Sequence, residues 1–179
     1  AVSVLFADIV GYTTLARALD PEQVMAMLHS LFSRYDEMLG PLAVYKVETI
    51  GDAYMAATGL LHETPSHASD LVAFGVGMIR AAACVRDPST GQPLRIRVGI
   101  NSGPVCSGIV GSCRARYCLF GDTVNTASRM ESTGVPGTIQ ITEDTYLALP
   151  EVARVHWSSR GEVEVKGKGK DTSDCSFRM

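Results

Sequence analysis

Short strand-like runs alternate with two long amphipathic helical stretches through residues 2–110, and that order limits the folds open to the chain more than any single motif does. Val2–Phe6 reads as a buried strand ending at Asp8, and Gly11-Tyr12-Thr13 follows as a turn leading into helical sequence. Asp20-Pro21-Glu22 predicts a helix start, with Asp20 as N-cap and Pro21 in the first helical position. Val24, Met27, Leu28, Leu31 and Phe32 form its apolar stripe, and Gly40-Pro41 stops it. Ala43–Glu48 and Ala53–Ala57 then read as two strands of a hairpin whose tip is Thr49-Ile50-Gly51-Asp52. A second striped helix is expected over about 68–86, and strands at Leu94–Ile100 and Val105–Val110 flank a turn at Ser102-Gly103-Pro104. Thr123–Glu131 reads as a short helix, with further strands near Ile139 and Val163. The order strand, helix, two strands, helix, strand implies an α+β fold: a mixed sheet of ferredoxin-like or palm-like type flanked by helices, packed on one face.

No repeat, low-complexity tract or linker divides the chain, so residues 1–179 are read as one domain. It opens inside a strand-like run with no charged leader, which reads as a piece of a longer protein lacking the start of the first strand region. The net charge of −3 and pI near 5.8 supply no basic field for a nucleic-acid backbone, so a phosphate ligand must be gripped locally. Five cysteines in irregular spacing fit reduced thiols and a cytoplasmic setting better than a disulfide or zinc framework. The longest apolar run, Leu71 to Val85, is broken by Arg80 and is shorter than the ~20 residues a membrane span needs, so no membrane contact is expected.

Asp8 and Asp52 both fall at strand ends near glycines, where two carboxylates can converge on hard divalent cations while leaving positions open to phosphate oxygens. Taken alone they read more readily as solvated turn aspartates, which neighbouring glycines favour. Asn125 and Arg129 lie four apart on a helix and face the same way, an amide and a guanidinium that read alone as a solvated helix face. In Val165-Lys166-Gly167-Lys168-Gly169-Lys170, glycines alternate with lysines, an exposed turn or a phosphate grip; the spacing is not that of a Walker loop. The four histidines have no metal-type or triad spacing.

These pieces occur in order as Leu5–Thr13 (LFADIVGYT), Lys46–Met55 (KVETIGDAYM) and Arg116–Met130 (RYCLFGDTVNTASRM), and the combination closely resembles class III nucleotidyl cyclases of the guanylate type. The resemblance runs over nearly the whole chain and ends in the Val165–Gly169 segment, which the family also carries. It implies that Asp8 and Asp52 hold two divalent cations, Mg2+ or Mn2+, with the backbone carbonyl of Ile9, and that Gly11, Tyr12, Thr13 and Arg97 contact a triphosphate. Asn125, Arg129 and Lys166 match the residues that a partner subunit contributes, so a homodimer is implied. The family pattern also implies GTP rather than ATP: Glu48 and Cys118 stand where adenylate cyclases carry Lys and Asp or Thr, and Arg116 would buttress Glu48. Regulatory domains would lie outside this chain. The C-terminal Asp171–Phe177 departs from the aromatic-rich last strand of relatives.

Three rival readings remain at this level. An adenylate cyclase would require Glu48 and Cys118 to tolerate adenine. A regulatory or dimerisation module could keep the fold without chemistry, against which the intact set Asp8, Asp52, Asn125 and Arg129 stands. A polymerase-like palm is disfavoured by the acidic pI.

Overall fold

The computed structural model describes residues 1–111, 113, 116–163 and 174–179; Lys166 and its neighbours lie outside them. The apolar first strand lies in the interior of the sheet. β1 (Val2–Ile9) is paired on both sides, with β3 (Ala53–Thr58) and β4 (Ile96–Gly103), and both Val4 and Leu5 are fully buried although they point to opposite faces. A strand that alternates apolar on both faces needs cover on both.

That cover comes from three helices. α2 (Pro21–Asp36) and α3 (His67–Ala83) bury Met27, Leu31, Phe74 and Met78 against Leu5, Ala7 and Ile9. α2 begins where expected, with Asp20 N–H donating to Gln23 Oε1 at 3.2 Å beside Pro21. α4 (Asp122–Ser132) packs on the other face, its Ala127 joining Val4, Met55 and Ala57. Helices therefore flank both faces rather than one, and the reason is local. At Gly99 in β4 an added Cβ would lie 2.6 Å from the Ala127 carbonyl oxygen and 2.5 Å from the Met130 carbonyl carbon. A bare backbone there lets α4 settle onto the sheet.

The seven-stranded sheet has the order β2-β3-β1-β4-β7-β9-β8, with β2 (Tyr45–Ile50), β7 (Ile139–Thr142), β8 (Ser158–Val163) and β9 (Asp174–Arg178). Only β4 and β7 run parallel, so the sheet is mixed, as the element order implied. β4 continues through Ser102 and Gly103, which the sequence placed in a turn; the strand breaks at Pro104-Val105 instead, and β4 does not pair with β5. β5 (Cys106–Val110) pairs with β6 (Arg116–Phe120), a strand not expected from the sequence, as a separate two-stranded hairpin against the α4 face. Short α1 (Tyr12–Ala18), α5 (Glu143–Ala148) and α6 (Glu151–Arg154), with a 3-10 turn at Gly40–Leu42, complete the described elements. Among the described residues, no helix is long and apolar enough to cross a membrane.

Candidate active site

Strand register brings the two candidate carboxylates together. Ala7 of β1 opposes Tyr54 of β3, so the end of β1 faces the turn that precedes β3, where Gly51 takes a φ of 63°. Ile9 N–H donates to Asp52 Oδ2 at 3.2 Å, tying the turn to the strand end, and the Asp8 and Asp52 carboxyls come within hydrogen-bonding reach. Burial pushes the Asp52 carboxyl up to about 7, and Asp8 adds to the rise by hydrogen bond and charge; backbone N–H groups only partly oppose it. Two acids that cannot comfortably ionise together are short of a cation.

Arg97 supplies part of one. Directly opposite Asp8 in the register, it places Nη2 3.4 Å from Asp8 Oδ2 and donates from Nε to Glu131 Oε1 at 2.8 Å. Burial raises the Glu131 carboxyl while Arg97 pulls it down. The sequence reading missed Glu131; its signal is an acid in the inner stripe of α4, beside buried Thr123, Ala127 and Met130. Gly11, at a φ of 75°, caps α1, and the N–H groups of Tyr12 and Thr13 fall in that helix's first turn, where they have no helical acceptor. Burial and the Asp52 charge both raise the Tyr12 phenol.

A second group lies elsewhere. α4 runs antiparallel to β4: Asn101 Nδ2 donates to the Thr123 carbonyl at 3.1 Å, while Glu131 meets Arg97 at the strand's other end. Those contacts are four positions apart along β4, roughly 13 Å of strand. Asn125 is exposed and Arg129 half-buried, both on the side of α4 turned away from Thr123, Ala127 and Met130. Among the described residues, Arg129 Nη1 is buried without a hydrogen-bond partner. Glu48 Oε2 lies 3.9 Å from Arg116 Nη1, and the Cys118 thiol donates to the Arg116 carbonyl at 3.7 Å. One chain thus gathers Asp8, Ile9, Gly11, Tyr12, Thr13, Asp52 and Arg97 at one end of the sheet. Asn125 and Arg129 project from the far side of α4, apart from them.

The family model for the adenylate and guanylate cyclase catalytic domain matches residues 1–174. The chain belongs to that family. The cyclase domain is 47% identical over 175 residues to the guanylate cyclase soluble subunit beta-2 of Rattus norvegicus, covering 96% of this chain and 25% of the relative. It is 42% identical over 173 residues to the receptor-type guanylate cyclase gcy-28 of Caenorhabditis elegans, covering 96% of this chain and 14% of the relative. The chain thus spans a quarter or less of the length of these relatives. The guanylate cyclase domain of RhGC from Catenaria anguillulae, solved in complex with GTP, superposes with a TM-score of 0.88 at 38% identity, over 99% of this chain and 94% of that one.

The donor set of this cyclase domain suits hard cations. Two carboxylates and a strand-end carbonyl could offer a cation oxygen atoms only, and among the described residues no group of three or more His, Cys, Asp or Glu forms a closed metal cage. A site with few protein ligands leaves coordination positions for phosphate.

Proposed function

We propose that the chain is a guanylate cyclase catalytic domain that converts GTP to 3′,5′-cyclic GMP and pyrophosphate, at sites completed by a second copy of itself. The observation that carries this is the crowded Asp8–Asp52 pair, an oxygen site needing cations, in a family member similar to a domain solved with GTP. Asp8, Asp52 and the Ile9 carbonyl hold two divalent cations, Mg2+ or Mn2+. When bound, these acidify the ribose 3′-hydroxyl and neutralise the triphosphate.

The chain's own residues do the rest. First-turn N–H groups of Tyr12 and Thr13, with Gly11 allowing close approach, receive phosphate oxygens. Arg97 exchanges its Asp8 contact for the triphosphate, and Glu131 keeps its guanidinium aimed. From the partner copy, Asn125 orients the ribose and Arg129 meets charge growing on the α-phosphate. Lys166, outside the described residues, holds the departing pyrophosphate. Glu48 accepts the N1 and N2 protons of guanine; adenine offers an acceptor at N1, a mismatch costing roughly 2–4 kcal/mol. Arg116 steadies Glu48, and Cys118 lies on the same face of β6.

The test is cyclic nucleotide formation from GTP and from ATP, in Mg2+ and Mn2+, over a range of protein concentrations, with Asp52→Ala as control. Cyclic GMP with specific activity rising steeply with concentration is expected. Preference for ATP would overturn the role of Glu48, and inactivity in Mn2+ where the chain is dimeric would leave a module without chemistry.

A further inference from the structure

Strict alternation along β2 would put Lys46 and Glu48 on the same side of the sheet. They are on opposite sides. Lys46 opposes Ala56 while Glu48 opposes Met55, so Val47 is the extra residue of a β-bulge. Residues paired across strands share a face. Ala56 belongs to the core beneath α2 and α3, and Met55 to the cluster with Val4, Leu119 and Ala127 on the α4 side. Lys46 therefore faces α2, whereas Val47, which packs on the second cluster, and Glu48 face α4 and the β5–β6 hairpin. Without the bulge Glu48 would turn toward α2 and its Asp36; with it, Glu48 reaches Arg116.

The bulge is pinned from below. Lys46 Nζ donates to both oxygens of Asp36, at 2.7 and 2.9 Å, and sits 5.2 Å from the centre of the Tyr54 ring. Tyr54, fully buried, donates its hydroxyl to Asp36 Oδ1 at 2.7 Å. A half-exposed ion pair of this kind adds little to stability. Three hydrogen bonds from two donor groups converging on one carboxylate do fix direction, and they fix it at the residue immediately before the bulge.

We infer that Lys46, acting through Asp36 and Tyr54, is a positioning residue for purine selection: it holds the Val47 bulge that delivers Glu48 to the base. This rests on the guanylate cyclase reading above. The experiment measures kcat/KM for GTP and ATP in Mn2+ for wild type, Lys46→Met, Asp36→Asn and Lys46→Arg. Binding of 3′-deoxy GTP and 3′-deoxy ATP, which cannot cyclise, is measured in parallel. Lys46→Met and Asp36→Asn should lower the GTP-to-ATP ratio roughly tenfold, chiefly through a higher KM for GTP, in both assays. Lys46→Arg, which keeps the ion pair and the ring contact, should retain the ratio within about twofold. Equal losses for both nucleotides, or a lower melting temperature with the ratio intact, would reduce Lys46 to a stabilising contact and overturn the inference. If the wild type makes cyclic GMP and Lys46→Met discriminates as well, only this inference fails; a wild type without preference for GTP sinks the reading beneath it as well.

Discussion

Asp52 shows how the proposed metal site is carried at a cost when no cation is bound. Its carboxyl, raised from 3.8 to about 7, is driven there by burial and by Asp8, so the folded chain binds a proton over a pH range where the unfolded chain has released it. The stabilisation from that proton is complete below the unfolded value and is lost as pH rises through about 7. Asp52→Asn, uncharged throughout, removes the crowding. Without metal it should melt above the wild type near pH 8, by an amount on the order of 1–2 kcal/mol after discounting for solvent screening, and the gap should close toward about pH 4. Melting curves in chelator at several pH values check this. A gap that widens on acidification would contradict the sign, while loss of cyclase activity in the same variant is expected at every pH.

At the level of elements, the contact that decides the architecture is α4 against β4. Gly99→Ala would drive a methyl into the Ala127 and Met130 backbone, where no flexible side chain can yield, so a loss of about 3 kcal/mol or more in urea unfolding is expected, with α4 and its Asn125 and Arg129 displaced. A neutral substitution would mean that α4 docks more loosely than its spacing indicates. Legibility in the sequence follows the same physics. The stripe and cap of α2 were readable because helix periodicity and Asp20-Pro21 are local signals. Which side of the sheet each helix meets was not, since a stripe says that a helix is covered and not by what; Gly99 was the one sign, and a lone glycine in a strand has several readings. β6 escaped because only Leu119 of its five residues is buried. Asp8 and Asp52 were legible as candidates from their turns, yet Glu131 was hidden because its partner Arg97 is remote in sequence, and the bulge at Val47 because a one-residue register shift leaves no mark in the residue types of the hairpin.

For the whole molecule, the question is how the two separated groups of residues meet. The two hairpins expose Ile50, Ile109, Val110 and Phe120 at 58%, 73%, 52% and 49%, apolar surface suited to burial against a second copy. If each site takes Asp8 and Asp52 from one copy and Asn125 and Arg129 from the other, two dead variants must rescue each other. Asp52→Ala supplies an intact Arg129, and Arg129→Ala supplies intact carboxylates. Each heterodimer then contains one whole site and one doubly defective one. Random pairing of an equal mixture makes half the dimers mixed, so activity should return to about one quarter of the wild type. A site built within one chain would predict no recovery at all, since every copy in the mixture would still lack an essential group. The outcome turns only on which chain each residue serves, because either variant alone is inactive on both accounts.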